Sequence, residues 1–353
     1  MKVSCALYIE IASEEDLLSL DWDALPQPVM VMGGGSNLLF TRDFPGTVLH
    51  VGIAGLSSCP AVSSSCPAPT GHLMVTVGAG VVFDEFCAWA AKEGLWGPEN
   101  LSLIPGECGA SAVQNIGAYG VEAKDILADI RAYDRVDGKF VHIDPSTCGY
   151  GYRTSRFKTD WKGRYIITAV TYRLSQEPNP ILDYGGIRKA LDERGVRVDS
   201  QTVASRPLPK GPLPLIVPRV AEVWESTLTP LVIRETIIGI RNQKLPDPAQ
   251  TGSAGSFFCN PVVSEEVFRK IEGNPPHYVV DGGIKIPAAW LIEQCGFKGA
   301  RKGGAQVYEK QPLVIVNATG EASPEDIIGL EKQVIEAVQA RFGITLHPEV
   351  EHV

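Results

Sequence analysis

Five short stretches of this chain collect residue types that do chemistry. The first, Gly33-Gly34-Gly35-Ser36-Asn37, directly follows the apolar run Val29-Met30-Val31-Met32. Missing β-carbons let successive backbone N–H groups close around an anion, which makes this turn a candidate phosphate cradle. It matches neither G-x-G-x-x-G nor G-x-x-x-x-G-K-[ST], and a plain strand-ending turn is an equal reading of the motif alone. The second stretch is denser: Glu99 to Gly106 (ENLSLIPG), then Gly109-Ala110-Ser111, then Gln114-Asn115-Ile116-Gly117-Ala118-Tyr119-Gly120. Small residues here let backbone lie against a flat ligand, and the two amide side chains can read pyrophosphate or ring edges. Two Gly-rich segments without an accompanying metal-ligand set favour a large nucleotide cofactor over a tightly packed turn.

The third stretch, Tyr150 to Lys158 (YGYRTSRFK), concentrates Arg153, Arg156 and Lys158 with Tyr150 and Tyr152. A guanidinium clamps a carboxylate or phosphate in bidentate fashion, although a solvated basic turn is the commoner outcome of such a run. The fourth, Arg241 to Pro261, carries Lys244 ahead of a Pro-rich turn and Ser256 among glycines. Ser256 sits in no G-x-S-x-G elbow and has no nearby histidine to serve as base, so hydrolase chemistry is only weakly indicated and a proton-donor role stays open beside it; Cys259 reads as a bystander thiol. The last, His347-Pro348-Glu349-Val350-Glu351-His352, lacks the H-E-x-x-H spacing of a zinc helix. Glu349 is therefore a candidate for acid/base or electrostatic work and no metal is expected.

Positioning these residues requires a mixed α and β fold. Strands are expected at Val29–Met32, Met74–Val77 and Tyr165–Tyr172, and helices at Asp84–Glu93, Gly186–Arg194, Pro230–Lys244 and Ser323–Phe342, the last with a capped start. Residues 57–71 are Ser/Pro-rich and read as a surface loop or hairpin tip, residues 206–218 as a Pro-rich connector, and residues 343–353 as a strand-like tail. The chain has 353 residues, a mean hydropathy near zero and a net charge of −9, which suits a multi-domain globular protein and argues against a nucleic-acid partner. Any anionic ligand must be held by local cations and backbone N–H groups. The eight cysteines form no C-x-x-C pair, and neither a signal peptide nor a membrane span is read, so a cytoplasmic location is expected.

Taken together, GGGSN at 33–37, ENLSLIPG with GASAVQNIGAYG at 99–120, YGYRTSRFK at 150–158, KLPDP with GSAGSFFCNP at 244–261, AAWLIEQCGFKG at 288–299 and HPEV at 347–350 resemble the UDP-N-acetylenolpyruvoylglucosamine reductase family. The resemblance covers almost the whole chain. It implies an α+β architecture: an FAD-binding portion of the vanillyl-alcohol-oxidase type in two subdomains, followed by a separate α+β substrate-binding domain. Residues 1–50 would form the first subdomain, joined by the tail from about 340 to 353, and residues 51–180 the second. Residues 181–225 would form a connector with the substrate loop, and 226–340 the substrate domain.

The implied reaction is NADPH-dependent, FAD-mediated reduction of UDP-N-acetylglucosamine enolpyruvate to UDP-N-acetylmuramate for peptidoglycan synthesis, by a monomer. Implied catalytic residues are Arg153, Ser256 and Glu349, with Ser256 as proton donor. The implied cofactor set is Gly33, Gly34, Gly35, Ser36, Asn37, Ile104, Pro105, Gly106, Gly109, Ala110, Ser111, Gln114, Asn115, Gly117, Ala118, Tyr119 and Ile167. The implied substrate set is Tyr152, Tyr184, Lys244, Asn260, Lys285 and Gln294; Tyr184-Gly185-Gly186 and the serine donor point to the subgroup with a tyrosine-bearing substrate loop. The chain departs from the family pattern in lacking an Asn-Thr-Phe-Gly segment ahead of the first strand, in carrying Glu351 where an arginine is usual, and in a longer 186–225 stretch. The first two imply weaker flavin binding. Two competing readings are an FAD-linked alcohol or hydroxy-acid oxidoreductase of the same cofactor fold and a catalytically impaired nucleotide-sugar-binding paralogue.

Overall fold

The computed structural model describes residues 3–60, 62–63, 66–67, 71–196, 198, 228–280 and 282–353. The expected Pro-rich connector at 206–218 lies outside them.

The chain begins with β1 (Cys5–Ile11), α1 (Glu14–Ser19), β2 (Val29–Met32), the two-residue β3 (Leu38–Leu39) and β4 (Phe44–Val51). Ser13 and Asp16 form a reciprocal capping box that starts α1 immediately after β1. β1 and β2 both pair in parallel with β4, giving the order β1-β4-β2. The 33–37 turn therefore leaves the carboxyl end of a parallel strand, where open α/β sheets place their ligands.

A second sheet follows, built from β5 (Leu56–Pro60), β8 (His72–Gly78), β11 (Leu127–Asp134), β12 (Lys139–Ile143) and β13 (Tyr165–Ser175) in the antiparallel order β12-β11-β13-β8-β5. β6 (Val62–Ser63) and β7 (Cys66–Pro67) form a separate antiparallel pair. Residues 57–60, expected as loop, are strand because they form the sheet edge, where Pro60 and the serines do not disturb a second ladder. Two helices, α2 (Phe83–Lys92) and α3 (Cys108–Gln114), precede the short hairpin β9 (Gly117–Ala118) and β10 (Val121–Glu122). One core of buried side chains, including Leu17, Leu49, Val77, Phe86, Ile130, Val170 and Tyr172, joins both sheets and both helices.

The remaining chain builds two further cores. α4 (Ile187–Glu193) and α5 (Pro230–Lys244) bury Ile187, Leu191, Ile233 and Ile237 with Trp96. Then come β14 (Val262–Val263), α6 (Glu265–Arg269), β15 (Tyr278–Val280), β16 (Gly283–Lys285), α7 (Ala288–Gln294), β17 (Arg301–Lys302), β18 (Ala305–Val307), β19 (Ile315–Asn317) and α8 (Pro324–Phe342). These make two three-stranded sheets against α7 and α8, with a core of Phe257, Phe258, Leu291, Val334 and Leu346 that also includes Leu39 from β3. α8 starts at a Ser323–Asp326 capping box and ends at Gly343 in the left-handed conformation. In the tail, regular pairing is confined to β20 (Glu351–His352), which adds in parallel to β3.

α5 is tied to the cofactor half by one ion pair. Arg234 is 8% exposed and reaches both oxygens of Asp84 in α2, while Asp84 also accepts from the Leu103 backbone. Burial alone would push the Asp84 carboxyl up, but Arg234, the Leu103 N–H and Arg241 together hold it below its ordinary value. Asp84→Asn leaves a buried guanidinium without its counter-charge and should cost about 3 kcal/mol in urea unfolding. In the unmodified protein this contribution is present above the ordinary aspartate pKa and disappears as pH falls through the lowered one.

Candidate active site

Four segments converge around Arg153 and Glu349. Arg153 lies in a tight turn closed by the Gly151–Thr154 bridge and holds a left-handed φ of 55°. Its Nη2 donates to the Gly117 carbonyl at 2.7 Å, and its guanidinium carbon stands 5.6 Å from the centre of the Tyr152 ring. Arg153 Nε and Glu349 Oε1 lie 3.1 Å apart as an ion pair, yet the Nε–H has no aligned acceptor. The pair is thus held by charge, and the guanidinium keeps donor capacity for a second anion.

Glu349 is placed by backbone. Its N–H donates to Phe257 O at 2.8 Å, its carbonyl accepts from Asn37 Nδ2 at 3.1 Å, and Cys259 N donates to His347 O at 2.9 Å. These bonds lay 347–349 alongside 257–259, the segment that Ser256 directly precedes in the chain. Gln114 Nε2 approaches Glu349 Oε1 at 3.5 Å. Burial raises the Glu349 carboxyl above its ordinary value, against the opposing pull of Arg153 and Lys158. A carboxyl so placed takes up a proton more readily than an exposed one while still sitting beside a cation.

The glycine-rich segments meet one another. Ser36 Oγ donates to Pro105 O at 3.4 Å, and a β-carbon on Gly106 would come within 2.9 Å of Ser36 Oγ. On Gly33 it would come within 2.6 Å of Glu107 Oε2, and on Gly109 within 2.8 Å of Ala79 Cβ. Ile104, Pro105 and Gly106 lead into α3, whose Gly109, Ala110, Ser111 and Gln114 follow. Among the described residues, the N–H groups of Gly34, Gly35, Ser36 and Asn37 have no acceptor. A turn of free N–H groups packed against a second Gly-rich segment suits the pyrophosphate of a dinucleotide.

Several residues of the expected cofactor set have side chains engaged within the protein. Ser111 is 1% exposed, with its hydroxyl bonded to Cys108 O and Tyr172 OH. Asn115, also left-handed, donates to Glu122 Oε2 and Gly151 O and accepts from Lys124 N, so it links the segment carrying Gly117 and Ala118 to the Arg153 turn. Ile167 lies buried in β13, opposite Ala132.

The expected substrate residues divide similarly. Asn260 donates to Tyr152 OH at 3.3 Å and accepts from Ala288 N, while Lys285 Nζ stands 5.0 Å above the Tyr152 ring. Tyr184 stacks on Tyr278 at 6.2 Å, and Lys285 Nζ is 5.9 Å from the latter ring. Gly120 and Gly185 interlock with Tyr184 and Tyr119: a β-carbon on either would come within 2.4 Å of the facing ring. Lys244 is exposed at the end of α5, where Arg241 reaches Leu103 O, and Gln294 is exposed at the end of α7 without a contact to the Tyr152 group. Sequence reasoning missed Tyr278, which stands in no motif, and gave no role to Arg241 at the head of the fourth stretch; the partners of both come from distant segments. Glu351 forms an ion pair with Lys162, and His352 Nε2 lies 3.2 Å from Glu331. Among the described residues, no His, Cys, Asp and Glu side chains converge as a metal-ligand group, and no helix is long and apolar enough to cross a membrane.

Comparison with known proteins agrees with this division of the chain. A family model described as UDP-N-acetylenolpyruvoylglucosamine reductase, C-terminal domain, matches residues 247–353, and one described as FAD binding domain matches residues 6–144. The chain is 41% identical to the UDP-N-acetylenolpyruvoylglucosamine reductase of Bacteroides fragilis, over 99% of this chain and 95% of that protein. It is 37% identical to the enzyme of the same name from Burkholderia vietnamiensis, over 98% and 90%. Among solved structures, UDP-N-acetylenolpyruvylglucosamine reductase from Thermus caldophilus superposes with a TM-score of 0.61 at 22% identity, covering 98% of this chain and 91% of that one.

Arg153 and Lys158 both lower the Glu349 pKa, so Arg153→Met should raise it further. Difference infrared spectroscopy of the Glu349 carboxyl, with Glu349→Gln to assign the band, reads the midpoint directly. A downward or absent shift would show that Arg153 does not govern this proton.

Proposed function

The chain belongs to the UDP-N-acetylenolpyruvoylglucosamine reductase family, and from that premise we propose that Arg153, Ser256 and Glu349 carry its NADPH-dependent reduction of UDP-N-acetylglucosamine enolpyruvate. It is an oxidoreductase of peptidoglycan precursor synthesis with FAD as cofactor. Supporting the proposal above all is the Arg153–Glu349 ion pair at 3.1 Å, set where the glycine-rich segment, the 257–259 segment and the tail meet.

Bound FAD, reduced by NADPH, would deliver hydride from N5 to C3 of the enolpyruvyl group. Residues Gly33 to Asn37 and Ile104 to Gly106 would hold its pyrophosphate side through backbone N–H groups. The enolpyruvyl carboxylate would dock on Arg153, whose Nε–H lacks an aligned acceptor. As negative charge grows on that carboxylate, Arg153 stabilises it, and Glu349, kept protonated more readily by its burial, donates a hydrogen bond to it. Ser256 then gives its hydroxyl proton to C2, which completes addition of hydride and proton across the double bond.

The nucleotide half would lie along Tyr152, Tyr184, Asn260 and Lys285, with Lys244 supplying a further cation for the diphosphate. Lys285 beside two phenol faces, and Tyr184 stacked on Tyr278, give flat and cationic surfaces for such a ligand. The whole assembly explains how a chain of net charge −9 takes an anionic nucleotide sugar: local cations act at short range.

An anaerobic stopped-flow experiment tests the reading. Mixing the yellow protein with NADPH should bleach flavin absorbance, and adding UDP-N-acetylglucosamine enolpyruvate should restore it. Bleaching without recovery would point to a different oxidoreductase substrate. Ser256→Ala should leave the NADPH half-reaction intact and slow recovery by about a thousandfold or more. Equal loss in both halves would remove Ser256 from the proton-donor role.

A further inference from the structure

Behind the Gly33–Asn37 turn lies a chain of ionisable groups that the reaction does not use. The Tyr8 hydroxyl donates to Glu10 Oε2 at 2.9 Å, Glu10 Oε2 lies 2.7 Å from His50 Nδ1, and His50 Nε2 lies 3.1 Å from Glu107 Oε1. His50 on β4 thus bridges a carboxylate on β1 to one at the entrance of α3. Only an imidazole protonated at both nitrogens donates to both.

Glu107 is 9% exposed, and its Oε2 has no hydrogen-bond partner. That orphaned oxygen occupies the space a Gly33 β-carbon would need, at 2.6 Å, and Oε1 lies 3.4 Å from the corresponding position on Gly34. The carboxylate is therefore pressed against the backbone of the phosphate cradle, where its charge opposes that of a pyrophosphate. Facing His50 are Glu10 and Tyr8 from β1, Glu107 from the α3 entrance and the uncharged Met32 of β2. With the ring protonated this group carries one net negative charge; with the ring neutral it carries two.

We propose that His50 is a proton-dependent positioning residue for the cofactor: its imidazolium offsets and anchors Glu107 behind the Gly33–Asn37 turn, so the apoprotein binds FAD more tightly when His50 is protonated. The inference rests on FAD being the occupant of that turn. Burial of the ring disfavours its charge, but Glu10 and Glu107 outweigh burial and raise His50 above its ordinary value. The tighter binding is consequently present below the ordinary histidine range and is lost as pH rises through the raised pKa.

FAD titration of the apoprotein, read by flavin fluorescence between about pH 6 and pH 9, tests this without turnover. The wild-type Kd should rise about tenfold across the range, a coupling of one proton to one ligand. His50→Gln should be flat at the weak, alkaline affinity, and Glu107→Gln should stay at or below the tight, acidic Kd with a shallower rise across the range. Opposite displacements of the two variants distinguish charge coupling from lost structure, and Glu107→Gln preserves shape if His50→Gln misfolds. A pH-independent wild-type Kd, or a slope that survives in His50→Gln, overturns the inference and leaves the FAD assignment standing. Failure of the wild type to take up FAD at any pH overturns both.

Discussion

The site depends on one short extended segment being held from two sides. Residues 347–349 bond to 257–259 of the C-terminal core, and residues 349–353 bond to 37–41 of the cofactor half through Asn37 Nδ2 to Glu349 O, Glu351 N to Asn37 O and Thr41 N to Val353 O. His352 adds a contact to Glu331 on α8, and Leu39 is buried in the C-terminal core. Backbone bonds of this kind fix position to a fraction of an ångström, which a flexible side-chain contact does not. Glu349 sits where the two sets meet. A shift between the halves would break one set of bonds and move its carboxyl either relative to Arg153 and Asn37 or relative to the 257–259 segment.

That placement also sets its electrostatics. Bringing a carboxyl between two packed bodies strips its water and raises its pKa, and Arg153 and Lys158 only partly reverse the effect. The result is a carboxyl more easily protonated than an exposed one, beside a guanidinium. Arg153 Nη2 is committed to Gly117 O, which fixes the cation to the glycine-rich segment and leaves the protein's remaining charge distribution of little consequence at this range.

Much of this arrangement is legible in the sequence, because residues that act together are often coded in short motifs. The helix over Pro230–Lys244 follows from apolar spacing and a Pro at its first turn, and the structure has the same bounds. The two Gly-rich segments announce backbone packing, and the structure shows them meeting. What the motif cannot show is which of its residues face inward: Ser111 and Asn115 stand among glycines and amides of the same appearance, yet their hydrogen bonds are satisfied by Tyr172, Glu122, Lys124 and Gly151. Nor does any local pattern connect Tyr184 to Tyr278, or His50 to Glu107, since each pair forms only after distant segments pack. Residues 57–60 read as loop because their composition is that of a loop; only the vacant edge of β8 makes them a strand.

Backbone strain gives an independent mark of the same place. Non-glycine residues with left-handed φ among the described residues are Leu103, Asn115, Tyr119, Arg153 and Asn274, and all but the last belong to the segments that meet at the site. Each costs on the order of 1 kcal/mol or more and persists only where surrounding contacts over-determine it. Those contacts are identifiable: Asp84 takes the Leu103 N–H, Asn115 makes three side-chain bonds, Tyr119 O accepts from the buried Asn100 and its ring lies against Gly185, and Arg153 is held by Gly117 and Glu349. Left-handed kinks turn the chain sharply without a glycine's freedom to relax, so they aim side chains and then keep them aimed. The strain at Arg153 is in this sense the counterpart of the clamp on Glu349: one partner of the ion pair is fixed by a tight turn and the other by an extended segment bonded on both sides.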